Sequence, residues 1–196
     1  MTVRHKKPVW VNEPFLYVFC EKPGVLPSGF GDGLRTDVAF RALLIGDIVG
    51  RPGRKAVAAI LPGLVEQERI NLVVANGENA AGGSGITPAI VEELHKAGVD
   101  VITMGDHCYR KKEAMAVYEA SERLLRPANL PEAATGRPWT VVQARDGRAA
   151  GVFAVLGRTY MKPADCPFAA AERALEAIAP QTLLVFVDVH AEATSD

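Results

Sequence analysis

Four runs of mostly branched apolar residues set the rhythm of this chain: RALLIG, INLVVAN, VDVITMG and TLLVFVDV. They are apolar almost throughout rather than alternating, which predicts strands buried on both faces. Helical patterns separate them. Pro52 or Gly53 opens a helix running through about Glu68, with Pro well placed in a first turn. Thr87 and Pro88 form an N-cap and first-turn pair, and Gly98 is the matching C-cap of TPAIVEELHKAG. KKEAMAVYEASERLL predicts a third helix and AAAERALEAIA a last one, while TVVQARDGRAAGVFAVLG reads as a hairpin turning at Asp146-Gly147. Strands alternating with helices imply a layered α/β domain with a mostly parallel sheet.

The pattern begins at about Phe40. Residues 1–40 carry four prolines and four glycines without a sustained period, so they are expected to be a poorly ordered extension, with WVNEPFLYVFC as one short strand. The domain proper is residues 41–196.

Each apolar run ends on residues that carry chemistry: Asp47; Glu78 and Asn79; Asp106 and His107; Asp188 and His190. The carboxyl ends of parallel strands line one crevice, so residues far apart in sequence meet there. Carboxylates, an amide and imidazoles in one crevice form a donor set for divalent metal ions. Asp47 reads equally as a turn or helix-capping residue. The glycines of GDIVGRPG do not fit G-x-G-x-x-G, and an Asp at that tip would repel a pyrophosphate. Glu78 is a carboxylate able to bridge two cations, with Asn79 offering a neutral oxygen. His107 is the candidate proton donor. Asp188 lies two residues before His190 on the same strand face, placed to orient it. Glu192, Thr194 and Ser195 follow near the crevice. His95 is expected on a solvated helix face and Cys108 as a structural residue.

Charge and composition narrow the classes. Lys plus Arg total 22 against 23 Asp plus Glu, a net charge of −1, which argues against a dedicated nucleic-acid surface. No apolar run reaches the length of a membrane span, and no secretory leader is evident. Three cysteines without paired spacing fit a reducing cytoplasm rather than a disulfide framework.

Together, IGDIVGRPGR, NGENAAGGSGIT, GVDVITMGDHCYRKKE, LLRPANLP, LGRTYM with DCPF, and VDVHAEATS resemble the YmdB-like, calcineurin-type metallophosphoesterases, a family of 2',3'-cyclic-nucleotide phosphodiesterases. The matches run in family order from about Arg41 to the C-terminus. The resemblance implies a four-layer α/β sandwich and a dinuclear site holding two divalent cations, iron or manganese. It carries metal-ligand roles to Asp47, Glu78, Asn79, Asp106 and His190, with Glu78 bridging, and the proton-donor role to His107. Asp106 stands where the family has Asn. The family's later Gly-Thr-His-Thr-His segment has no counterpart before Asp196, so the resemblance implies a domain incomplete at its C-terminal side. An open sheet edge there would favour a homo-oligomer.

The expected function is metal-assisted hydrolysis of a 2',3'-cyclic nucleotide or related phosphodiester. Two alternatives stand beside it: a metal-binding domain without turnover, and a metal-free nucleotide-binding α/β module.

Overall fold

A computed structural model describes residues 16–20 and 39–193. Among these described residues, eight strands form two sheets. In the first, β1 (Leu16–Cys20), β2 (Arg41–Ile45), β3 (Leu72–Asn76), β4 (Val101–Thr103) and β5 (Leu124–Leu125) lie side by side in chain order. Strands β2 to β5 are mutually parallel, and β1 joins β2 antiparallel. The second sheet holds β6 (Trp139–Gln143), β7 (Ala149–Leu156) and β8 (Val185–His190), with β6–β7 antiparallel and β7–β8 parallel. The short strand expected within WVNEPFLYVFC is β1; the rest of the expected extension lies outside the described residues, as do Thr194 and Ser195.

Side-chain alternation converts these sheets into four layers. On β3, Val73 and Ala75 face α1 (Gly50–Glu68) and α2 (Pro88–Ala97), in a core with Leu61, Ile90, Val91 and Leu94. Leu72 and Val74 point the other way, onto Ala150 and Val152 of β7. On β7, Phe153 and Val155 then turn outward onto Ala174 and Ile178 of α4 (Pro167–Ile178). Successive residues of a strand point to opposite faces, so β3 and β7 each serve two cores and must be apolar on both. The order is helices, sheet, sheet, helix.

The helix signals act as read. Thr87 Oγ1 accepts from Ile90 N at 3.4 Å, and Gly98 ends α2 at φ 109°, its N–H donating to the carbonyls of His95 and Leu94. The β6–β7 hairpin turns at Asp146-Gly147, with Gly147 at φ 86°.

Two expectations need correction. The run 111–125 is not one helix: it makes a 3-10 turn (Lys112–Ala114), α3 (Met115–Ala120) and then β5. Ser121 is extended (φ −92°, ψ 132°) and its Oγ accepts from Arg123 N at 3.1 Å, which turns Leu124 and Leu125 onto Ile102 and Thr103 of β4. Fully burying two leucines outweighs the modest helix propensity of that segment. Strand β8 is not buried on both faces either. It pairs with β7 alone among the described residues, and Val187 and Val189 are exposed.

Candidate metal centre

The carboxyl ends of β2, β3, β4 and β8 bring Asp47, Glu78, Asn79, Asp106, His107 and His190 to one place. Glu78, just past β3, is the hub and is only 2% exposed. Its Oε2 lies 3.2 Å from His190 Nε2, an ion-pair approach outside hydrogen-bond geometry, and its Oε1 lies 3.4 Å from His107 Nδ1. Asp106 Oδ1 is 3.9 Å from His190 Nε2. One ligand atom from each of Glu78, Asp106 and His190 falls within 4.8 Å of the other two. Two donors to one cation at about 2.2 Å each stand no more than about 4.4 Å apart, so this set closes on an ion with a small shift.

Asn79 links Asp47 to this set. Its Nδ2 donates to Asp47 Oδ2 at 2.6 Å and to Glu78 Oε1 at 3.1 Å. Donation to two carboxylates fixes which end of the amide is nitrogen. Oδ1 therefore faces His107 Nδ1 at 3.0 Å, and His107 donates through Nδ1. The amide NH2 sits between two carboxylates, where it stands in for positive charge. Asp47 does not cap α1, whose N-cap is Val49 without a side-chain bond.

The site contains unmet valence. Asp47 Oδ1 and Glu78 Oε2 are buried without a hydrogen-bond partner. An unsatisfied buried carboxylate oxygen is costly, and a cation satisfies it. The donor set, hard oxygens with one or two imidazoles, suits a divalent cation.

Titration follows from crowding. Burial raises the Asp47 carboxyl above its usual range, against the lowering bond from Asn79. The Glu78 carboxylate holds the His190 imidazole above its ordinary value, opposed by burial, with Asp188 and Asp106 adding to the rise. Burial pushes the Cys108 thiol up to about 12, so it stays protonated, as expected of a structural residue.

Three residues to which sequence reasoning gave no role hold this arrangement. A Cβ on Gly105 would stand 1.6 Å from Glu78 Oε2 and 2.6 Å from His190 Cδ2, so only glycine lets β4 leave the sheet beneath the cluster. Asn76 and Thr103, both buried, donate to Asp188 Oδ2 at 2.9 and 2.6 Å. Asp188 thus ties β8 to β3 and β4, and no hydrogen bond joins it to His190 among those described. It acts on His190 through charge. Glu192 is exposed beyond β8 and takes no part in the cluster's ion pairs. His95 is half-buried rather than solvated, its Nδ1 donating to Val99 O at 2.8 Å.

Two stacked sheets between helices, with acidic and imidazole donors at the strand ends, define an α/β protein with a candidate metal centre. The chain belongs to the YmdB-like protein family, whose model matches residues 43–196. It is 42% identical over 157 residues to the 2',3'-cyclic-nucleotide 2'-phosphodiesterase of Bacillus subtilis, covering 80% of this chain and 59% of that protein. A hypothetical protein from Thermus thermophilus superposes with a TM-score of 0.70 at 39% identity, over 79% of this chain and 59% of that one. A novel phosphatase from Mycoplasma pneumoniae matches with the same TM-score at 30% identity, over 80% and 57%. The chain thus spans about three fifths of the length of these relatives. No helix among the described residues is long and apolar enough to cross a membrane.

Proposed function

We propose that this chain acts as a metal-dependent phosphodiesterase on 2',3'-cyclic nucleotides, with two divalent cations, iron or manganese. The observation that carries the reading is the convergence of Glu78, Asp106 and His190, with Glu78 Oε2 buried and without a hydrogen-bond partner. The activity of the Bacillus subtilis relative supports the substrate class. Asp47, Glu78, Asn79, Asp106 and His190 would hold the cations, with Glu78 shared between them. When bound, divalent cations offset phosphoryl charge and supply an acidified water as nucleophile at neutral pH.

The chain's own residues do the rest. His107 donates Nδ1–H to Asn79, which fixes the ring and leaves Nε2 facing away from that bond. In the imidazolium form Nε2–H passes its proton to the leaving ribose oxygen, and the ring is left neutral with Nδ1–H still bound to Asn79. Asp188 holds β8, and with it His190, against the first sheet. Gly105 leaves room for the Glu78 carboxylate and the His190 ring by keeping side-chain bulk away from both. The free thiols Cys108 and Cys166 agree with a cytoplasmic setting.

The test is hydrolysis of 2',3'-cyclic AMP by the manganese- or iron-loaded chain. Turnover that chelator abolishes, and that His107→Ala reduces by about 10²–10⁴-fold, is expected. Full metal occupancy without turnover would leave a metal-binding domain. Turnover in chelator would overturn the metal role.

A further inference from the structure

The loop 157–165, between β7 and α4, lies beside the metal centre and is built in an unusual way. Its ends are pinned by Asn129, which is fully buried. Asn129 Nδ2 donates to Leu156 O at 2.8 Å and Asp165 O at 3.0 Å, while its Oδ1 accepts from Leu156 N at 2.8 Å. The Asn129 carbonyl accepts from Asp165 N at 2.9 Å, and Gly157 N donates to His190 O at 2.8 Å. The loop therefore leaves from one metal-ligand candidate and is held rigidly at its base. Its crown returns over another: Lys162 Nζ lies 3.7 Å from Asp106 Oδ2 and 3.5 Å from Asp106 O.

Between these contacts stands Tyr160, the most exposed large hydrophobic side chain among the described residues, at 91%. Its backbone is left-handed, at φ 61°. A bulky non-glycine residue in that region is strained, and such strain clusters at ligand sites. Among the described residues, nothing covers the ring. Tyr160 stands two residues before Lys162, whose ammonium is 3.7 Å from the Asp106 carboxylate, so the exposed ring and the cationic rim of the cluster belong to one short, base-pinned loop.

We propose that Tyr160 is the stacking platform for the nucleobase and Lys162 a phosphate contact at the rim of the same site, so that this loop sets preference for nucleoside substrates. The proposal rests on the phosphodiesterase reading. Stacking tolerates any base, because every base has a π-face, and needs the ring rather than the hydroxyl.

The experiment is titration calorimetry of the manganese-loaded chain with adenosine 3'-phosphate and with methyl riboside 3-phosphate, the same ligand without its base. Both are phosphomonoesters of the product type, and phosphate release is followed alongside to verify that neither is consumed during the titration. Tyr160→Ala is expected to weaken the adenosine ligand by about 5- to 150-fold, and the baseless ligand far less. Tyr160→Phe should restore the difference, and Lys162→Ala should weaken both ligands alike. Thermal melts confirm folding, which an exposed side chain does not control. Equal weakening of both ligands by Tyr160→Ala, or none, overturns the subsite; so does a wild type that binds neither. Hydrolysis of 2',3'-cyclic AMP, run in parallel, separates the two claims. Absent turnover with Tyr160-dependent binding sinks only the hydrolytic reading, and turnover with Tyr160-indifferent binding sinks only the subsite.

Discussion

Thr103 Oγ1 on β4 and Asp188 Oδ2 on β8 meet at 2.6 Å, across the gap between the two sheets. Asn76 Nδ2 on β3 reaches the same oxygen at 2.9 Å. The second sheet is thereby docked onto the first at the end where the candidate metal ligands gather. Hydrogen bonds to a charged group contribute about 1.5–3 kcal/mol each, and more is lost when a buried partner is stranded.

Asp188→Ala is therefore expected to destabilise the fold by about 2–3 kcal/mol. Thr103→Val, which keeps the shape and removes the hydroxyl, should cost less. In a double-mutant cycle followed by urea unfolding, the pair should show a coupling of about 1 kcal/mol or more. Strict additivity would show that the contact does not join the sheets.

Gly105 makes a second expectation. A methyl group at residue 105 would occupy the place of Glu78 Oε2, a buried carboxylate oxygen rather than the free end of a flexible chain. Gly105→Ala should weaken manganese binding by at least about 10-fold, as displaced or unsupported ligands do at metal sites. Calorimetric titration checks this; an unchanged affinity would mean that Glu78 has room to move.

His95 supplies the pH dependence. Burial lowers its pKa below the ordinary 6.5, the bond to Val99 O partly opposing. The unfolded chain then takes up a proton near pH 6.5 that the folded chain refuses. Between the folded value and 6.5 the unfolded state binds more protons, so stability rises with pH across that window. The contribution is complete above 6.5 and is lost as pH falls toward the folded value. His95→Gln should flatten the acid side of the stability profile measured by urea unfolding. A profile as steep as the wild type's would exclude His95 as its source.

How much of this was readable in sequence depends on which forces act locally. The strands ending at Asp47, Glu78 and Asp106 were legible because β2, β3 and β4 are central and parallel, and strands buried on both sides show as unbroken apolar runs. The caps at Thr87 and Gly98 were legible because capping is local chemistry. Leu124 and Leu125 were not, since their strand exists only through pairing with β4, and the letters before them continue a helical period. The exposure of Val187 and Val189 was hidden for a similar reason: an edge position belongs to the sheet, not to the strand. Spacing placed Asp188 beside His190, but the partners it chose, Asn76 and Thr103, come from the facing sheet. Lys162 likewise reaches Asp106 across 56 residues, a meeting that no local pattern announces.

The central claim is that Glu78 is a shared metal ligand while His107 handles a proton. Elemental analysis of the wild type, Glu78→Ala and His107→Ala, each purified and loaded with manganese under the same conditions, tests it most directly. Glu78→Ala is expected to lose most of its bound metal, because the residue contacts His190, His107 and Asn79 and belongs to the one group of three ligand atoms found among the described residues. His107→Ala should retain near wild-type metal content. Equal loss in the two variants, or full occupancy in Glu78→Ala, would contradict the division of roles.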